Sequence, residues 1–204
     1  MSIDTCPLCR AVNNEHLVIG GVNVNKVLGR SGAFAIIPAL GPLVIGHILI
    51  VSAKHNPGLR YLSSADQRDY ESLSRCARNY CEQLGDTLLE AEHGARNTSL
   101  RGPCIRHAHV HILPGLGEVG KVFENNPVCD LIQDSNVSSV DSYIWVNDGF
   151  SVTTYDGSRV TGQEIRQTIG RYLKIDDWDW AVSPKPDLIA RTIKYWRKIS
   201  RWLH

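Results

Sequence analysis

Three histidines at alternate positions, His107, His109 and His111, form the densest group of reactive side chains in the sequence. On an extended strand, residues two apart project to the same side, so the three imidazoles would line one edge of a cleft. Neutral imidazole is both a metal ligand and a nucleophile near neutral pH, so the row suits either metal ligation or covalent catalysis. A second group stands near the N-terminus, where Cys6-Pro7-Leu8-Cys9 offers two thiolates at the spacing of one corner of a zinc site. The remaining cysteines, Cys76, Cys81, Cys104 and Cys129, are scattered.

The elements that must hold these groups follow from periodicity. In the run 105–113, Ile105, His107, His109, His111 and Leu113 alternate with Arg106, Ala108, Val110 and Ile112, which predicts a strand. The segments 22–28, 33–38, 47–53 and 87–92 are rich in β-branched and aliphatic residues, bounded by Gly or Pro, and also predict strands. Between the last two, 64–84 reads as a helix: Ser63 and Ser64 open it, Asp66 lies in its first turn, and Tyr70, Leu73, Ala77, Tyr80 and Leu84 recur at helical spacing.

After Pro114 the glycines 115, 117 and 120, then Asn125, Asn126 and Pro127, mark the best boundary, predicting a domain over 1–120 and a C-terminal extension over 121–204. In the extension, 142–146 and 150–155 read as a hairpin joined at Asn147-Asp148-Gly149, followed by helices over 162–173 and from 186 to about 202. The last helix sets Ile189, Ile193, Trp196 and Leu203 on one side against basic Arg191, Lys194, Arg197, Lys198 and Arg201, the pattern of a packed helix with a solvated basic face. Asp148, Tyr155 and Arg166 are the polar candidates of this region.

An apolar content of 43% with 21% charged residues is that of a folded globular chain. A net charge of +1 argues against a nucleic-acid backbone or an anionic membrane as partner, so any phosphate recognition must be local. No basic region followed by an apolar stretch opens the sequence, and the aliphatic run 44–51 is too short to span a bilayer. A cytoplasmic protein is expected, in which a close cysteine pair binds metal more often than it forms a disulfide.

The run from His107 to Leu113 resembles the His-x-His-x-His-hydrophobic-hydrophobic signature of the histidine-triad superfamily. Gly46-His47-Ile48-Leu49-Ile50-Val51-Ser52-Ala53-Lys54-His55 is similar to the Gly-His-strand-Lys-x-His block that precedes the helix in that family. The two blocks stand in the family's order, and the resemblance covers roughly Cys6 to Pro114. It implies an α+β fold with an antiparallel five-stranded sheet and a long helix, carrying a mixed C-terminal extension, and a homodimer as the usual assembly.

The resemblance also implies a chemistry. His109 would attack the α-phosphorus of a nucleotide-like phosphoanhydride, phosphoramidate or ester, and water or another acceptor would resolve the nucleotidyl-imidazole. The attacking nitrogen must be unprotonated, so the other ring nitrogen should donate to an acceptor such as a backbone carbonyl. His111 would lie near the phosphoryl oxygens or the leaving group as a donor.

His47, His93, Gly102 and Cys104 are the implied substrate-binding residues; Cys104 replaces the family's hydroxyl residue and Pro103 removes one N–H from that loop. Glu92, a carboxylate, is disfavoured beside phosphate, so His93 rather than Glu92 is expected to serve the site. Ala39 stands where relatives carry the Asp or Asn that grips ribose hydroxyls. In CxxC members, the histidine after the Gly-His block and the first triad histidine complete a structural Zn2+ site, here Cys6, Cys9, His55 and His107, with one ion per chain. The implied function is a nucleotidyl hydrolase. The alternatives are a nucleotidyltransferase or phosphorylase of the same superfamily, or a zinc-stabilised nucleotide-binding regulatory protein with little turnover.

Overall fold

The computed structural model describes residues 6–96, 105–124, 126, 130–132, 140–160 and 162–199. A short helix, α1 (Pro7–Val12), and a two-stranded ribbon of β1 (Val18–Ile19) and β2 (Val22–Asn23) precede the main sheet. Then come β3 (Gly29–Ser31), β4 (Phe34–Pro38), β5 (Ile48–Ser52), the long helix α2 (Ser64–Gln83), β6 (Leu88–Ala95) and β7 (His109–Pro114). The chain continues through β8 (Asp130–Leu131), β9 (Ser142–Asn147), β10 (Val152–Asp156), α3 (Glu164–Leu173) and α4 (Pro186–Tyr195). No helix among the described residues is long and apolar enough to cross a membrane.

Among the described residues the fold is α+β with antiparallel pairing, but the main sheet has eight strands, in the order β3-β4-β5-β7-β6-β9-β10-β8, not five. The difference arises at β6. Its second edge pairs with β9 from Glu90↔Asn147 to Ala95↔Ser142, and β10 and β8 follow outward. An unpaired edge strand exposes a row of N–H and C=O groups, and the hairpin satisfies them on β6. Asp148 closes the hairpin turn by accepting from the backbone N–H of Phe150 at 2.8 Å and of Ser151 at 2.7 Å.

Two further expectations are corrected. The strand expected over 22–28 is confined to Val22–Asn23, because Gly20 and Gly21 make a turn at positive φ and the Asn23 side chain accepts from Asn25 N at 3.2 Å, bending the chain away. The strand expected over 105–113 starts only at His109. Its first residues are folded into a tight turn, with His107 N donating to Ile105 O at 2.9 Å, so His107 is not part of one straight row with His109 and His111.

Strand alternation divides the sheet into two packed faces. On one, Phe34, Ile36, Ile48, Ile50, Val110 and Ile112 are buried against Tyr70, Leu73 and Ala77 of α2. Ser63 caps that helix, its hydroxyl accepting from Asp66 N at 3.2 Å. The opposite face is covered in two patches. Ala35, Ile37, Leu49 and Val51 pack with Leu8, Ala11 and Val12 of α1, while Leu89, Ala91, Leu113, Ile144 and Val146 pack with Ile165 and Ile169 of α3. Between the patches the N-terminal half of β7 stays uncovered, and that gap is the cleft.

Candidate functional site

His109 and His111 lie on the floor of this cleft with ring centres 5.3 Å apart. His109 Nδ1 is 2.6 Å from the carbonyl of His107. A carbonyl only accepts, so in the neutral ring the proton sits on Nδ1 and Nε2 keeps its lone pair. Burial lowers the pKa of His109, opposed by that hydrogen bond.

His111 is fixed in the opposite tautomer by a relay that begins in the backbone. Leu43 N donates to His47 Nδ1 at 3.2 Å, which leaves the proton of a neutral His47 on Nε2. That nitrogen faces His111 Nδ1 at 2.9 Å, so His111 accepts there and carries its own proton on Nε2. Burial first, and the nearby positive charge of Arg166 with it, hold both rings well below the ordinary histidine range. The floor therefore presents an acceptor nitrogen on His109 beside a donor N–H on His111.

The metal-ligand set assembles on the other side of His107. Cys6 caps α1, Pro7 occupies its first position, and Cys9 follows one turn later, so both sulfurs lie on the buried side. The loop after β5 brings in His55 and is docked beside the triad by Ala108 N donating to Asn56 O at 2.6 Å. One ligand atom from each of Cys6, Cys9, His55 and His107 lies within 4.8 Å of the others, close enough to bind one metal ion.

The donor set fits a four-coordinate ion. Cys6 and Cys9 Sγ are each 3.4 Å from His107 Nδ1, and Cys9 Sγ is 3.2 Å from His55 Nδ1. Tetrahedral zinc with bonds of about 2.3 Å to sulfur and about 2.05 Å to nitrogen sets neighbouring S and N ligands about 3.5 Å apart. His107 donates from Nε2 to Ser52 O at 2.7 Å, which turns its Nδ1 lone pair toward the thiols. Burial and the adjacent Cys6 push the Cys9 thiol up to about 11, a penalty on the thiolate that a bound cation removes.

The other residues singled out by the sequence are distributed as follows. His93 lines the cleft, is bonded to Ser142 Oγ at 2.9 Å, and is pushed down to about 4, mainly by burial. His47 is fully buried and meets the cleft residue His111 through its Nε2. Glu92 points to the α2 side, where it accepts from Leu59 N at 3.0 Å and Tyr143 OH at 2.5 Å, and burial pushes it up to about 7. Ala39 lies in the cleft wall. Gly102 and Cys104, with Arg101 and Pro103, lie outside the described residues. Of the extension's candidates, Asp148 closes the hairpin and Tyr155 is buried core, whereas Arg166 lines the cleft.

The far wall holds residues that motif reasoning did not single out: Gln163, Glu164, Ile165 and Trp180, all C-terminal to the triad by fifty positions or more. The near wall adds Leu8, Leu17 and Val24. No local pattern marks them, since each is ordinary for its own element.

None of the known protein-family descriptions matches the chain, and no curated protein does. Solved structures do. It is similar to a hypothetical protein from Leishmania major at 19% identity and a TM-score of 0.41, with 55% of this chain and 74% of that one covered. A HIT family hydrolase from Clostridium thermocellum matches at 17% identity and a TM-score of 0.40, over 56% and 93% of the two chains. A hypothetical histidine triad nucleotide-binding protein from Sulfolobus tokodaii matches at 23% identity and a TM-score of 0.39, over 53% and 68%. The solved structures similar to this chain thus include histidine-triad proteins, and the chain itself has a Cys6, Cys9, His55 and His107 group close enough to bind a metal ion.

Proposed function

We propose that the protein is a nucleotidyl hydrolase that works through a covalent intermediate on His109. The observation that carries this is the pair of opposed tautomers on the cleft floor. His109 is held with Nε2 free by the His107 carbonyl, and His111 is held with Nε2 protonated by the Leu43–His47 relay.

His109 Nε2 forms a bond to the α-phosphorus of a nucleotide-like substrate while the bond to the leaving group breaks and takes its electron pair with it. The His111 N–H donates to a phosphoryl or leaving-group oxygen as charge develops there. Water then adds to phosphorus and gives up one proton to solvent, the P–N bond breaks, and the electron pair returns to Nε2. Apolar Leu8, Leu17, Val24, Ile37 and Leu49 form a surface for the base. Cys6, Cys9, His55 and His107 would hold a Zn2+ with all four ligands from the protein, so its part would be structural, tying α1 to the segment that leads into His109.

The test is incubation with adenosine phosphoramidate and diadenosine polyphosphates, comparing wild type with His109→Ala. Turnover by wild type, a nucleotidyl adduct on the peptide containing His109, and loss of both in the variant are expected. If wild type leaves every substrate intact and no adduct is seen, the hydrolase reading fails, and a zinc-stabilised binding protein takes its place.

A further inference from the structure

The far wall of the cleft holds a buried cation whose hydrogen-bond partners among the described residues are backbone carbonyls. Arg166 is only 4% exposed, yet it lines the cleft with His109 and His111. Its Nε and Nη2 donate to Trp178 O at 3.0 and 2.8 Å, and Nη2 also donates to Gly41 O. These acceptors are neutral carbonyls.

Among the described residues, no carboxylate forms an ion pair with Arg166. Glu164, two residues before it, accepts from Asn126 Nδ2 at 2.9 Å and Thr168 Oγ1 at 3.2 Å. Asp179, whose charge favours the cationic form of Arg166, accepts from Gln163 Nε2 at 2.9 Å and Ala181 N at 2.8 Å. Burial brings the guanidinium down to about 10, so it remains a cation at neutral pH. A buried charge of this kind is costly unless paired, and Nη1 makes no hydrogen bond among the described residues.

The position of this cation is informative. Its positive charge acts on His111 and on His47 behind it. Arg166 and His111 line one cleft, and His111 is the donor assigned above to a phosphoryl or leaving-group oxygen.

We propose that Arg166 binds a charged phosphate of the leaving group, so that the substrate is a phosphoanhydride rather than a phosphoramidate or a simple ester. This rests on the His109 reading above. When His109 Nε2 attacks, the bridging P–O bond breaks and its electron pair stays on the departing phosphate, whose added charge faces Arg166. An amine or neutral alcohol leaving group would leave the buried cation unmatched. Gly41 O and Trp178 O hold the guanidinium in place, which links the Ala39–Gly41 turn and the Trp178–Trp180 segment to the anion.

Two measurements on the full chain test it. The first is titration of inorganic pyrophosphate into wild type, His109→Ala, Arg166→Gln and Arg166→Lys by calorimetry. His109→Ala should bind like wild type, and Arg166→Gln about 10- to 100-fold more weakly, the loss expected for a hydrogen bond to a charged group. Equal binding by wild type and Arg166→Gln overturns the proposal. In case Arg166→Gln does not fold, the side-chain Nε–H resonance of Arg166, assigned with Arg166→Lys, is followed in wild type; it should move on addition of pyrophosphate, and no movement overturns the proposal equally.

The second measurement compares kcat/KM for a diadenosine polyphosphate and for adenosine phosphoramidate. Arg166→Gln should lower the first about 100-fold and the second by less than about threefold. Equal losses would make Arg166 a structural tether and sink the proposal. If wild type turns over neither compound, the His109 reading fails on its own, while the pyrophosphate titration still decides whether Arg166 binds the anion.

Discussion

The indole Nε1 of Trp196 donates to the carbonyl of Gly46 at 2.7 Å, one residue before His47. Thr192 Oγ1, one turn earlier on α4, accepts from Gly46 N at 3.0 Å. The last helix therefore clamps both backbone groups of the residue that leads into the buried histidine relay. Trp196 is 1% exposed and shares a core cluster with Ile48, Tyr80 and Ile112, so the helix is part of the structure that aims the site.

Trp196→Ala removes that packing and the hydrogen bond together. A loss of about 3–5 kcal/mol in unfolding free energy is expected from the cavity left by a large buried side chain. Urea unfolding checks it, and a loss below about 1 kcal/mol would show that α4 is only loosely attached.

The relay through His47 predicts a kinetic effect at a residue that does not line the cleft. His47→Phe keeps an aromatic ring, somewhat larger than imidazole, but removes the proton that fixes the His111 tautomer, so kcat should fall by roughly 100-fold with KM changed little. Turnover of a phosphoanhydride substrate at saturation reads this directly. An unchanged kcat would mean that His111 needs no fixed tautomer.

Metal removal should act on stability before it acts on chemistry. About one zinc per chain is expected in the purified protein, and Cys6→Ser should lose it. The variant should be less stable by about 3 kcal/mol or more, a fall of roughly 6–12 °C in melting temperature for a domain of this size. Elemental analysis and calorimetry on the same samples check both. Full zinc content in Cys6→Ser would exclude the four-residue set.

His93 gives the stability a pH dependence of known sign. Burial depresses its folded-state pKa to about 4 from an unfolded value near 6.5, so the folded protein favours the neutral ring. The contribution is complete above pH 6.5 and is lost as pH falls from there toward about 4, because the unfolded chain takes up the proton first. Between pH 7.5 and pH 5 this removes about 2 kcal/mol. His93→Gln should lose less stability than wild type over that interval by about this amount. Parallel curves for the two proteins in urea unfolding would place the titration elsewhere.

The reactive residues of the candidate site were legible in the sequence because their spacing is local. Spacing alone set His107, His109 and His111 apart, and the CxxC pair needed only one helical turn to bring Cys6 and Cys9 together. The amphipathic pattern of 64–84 predicted α2 almost to the residue, and β4 and β5 were equally plain, since burial on a helix or strand imposes a period that a sequence records. Tertiary structure decided the rest. Which ring nitrogen of His109 and of His111 carries the proton depends on the His107 carbonyl and on Leu43 through His47, contacts that no spacing encodes. The growth of the sheet from five strands to eight followed from the pairing of β9 with β6, and strand pairing is a contact between distant segments. Arg166 was one of three polar candidates in the extension, and its position in the sequence assigned it no partner. Only the packing of α3 beside the gap in the sheet brought it, buried and without an ion-paired carboxylate among the described residues, to the wall of the same cleft.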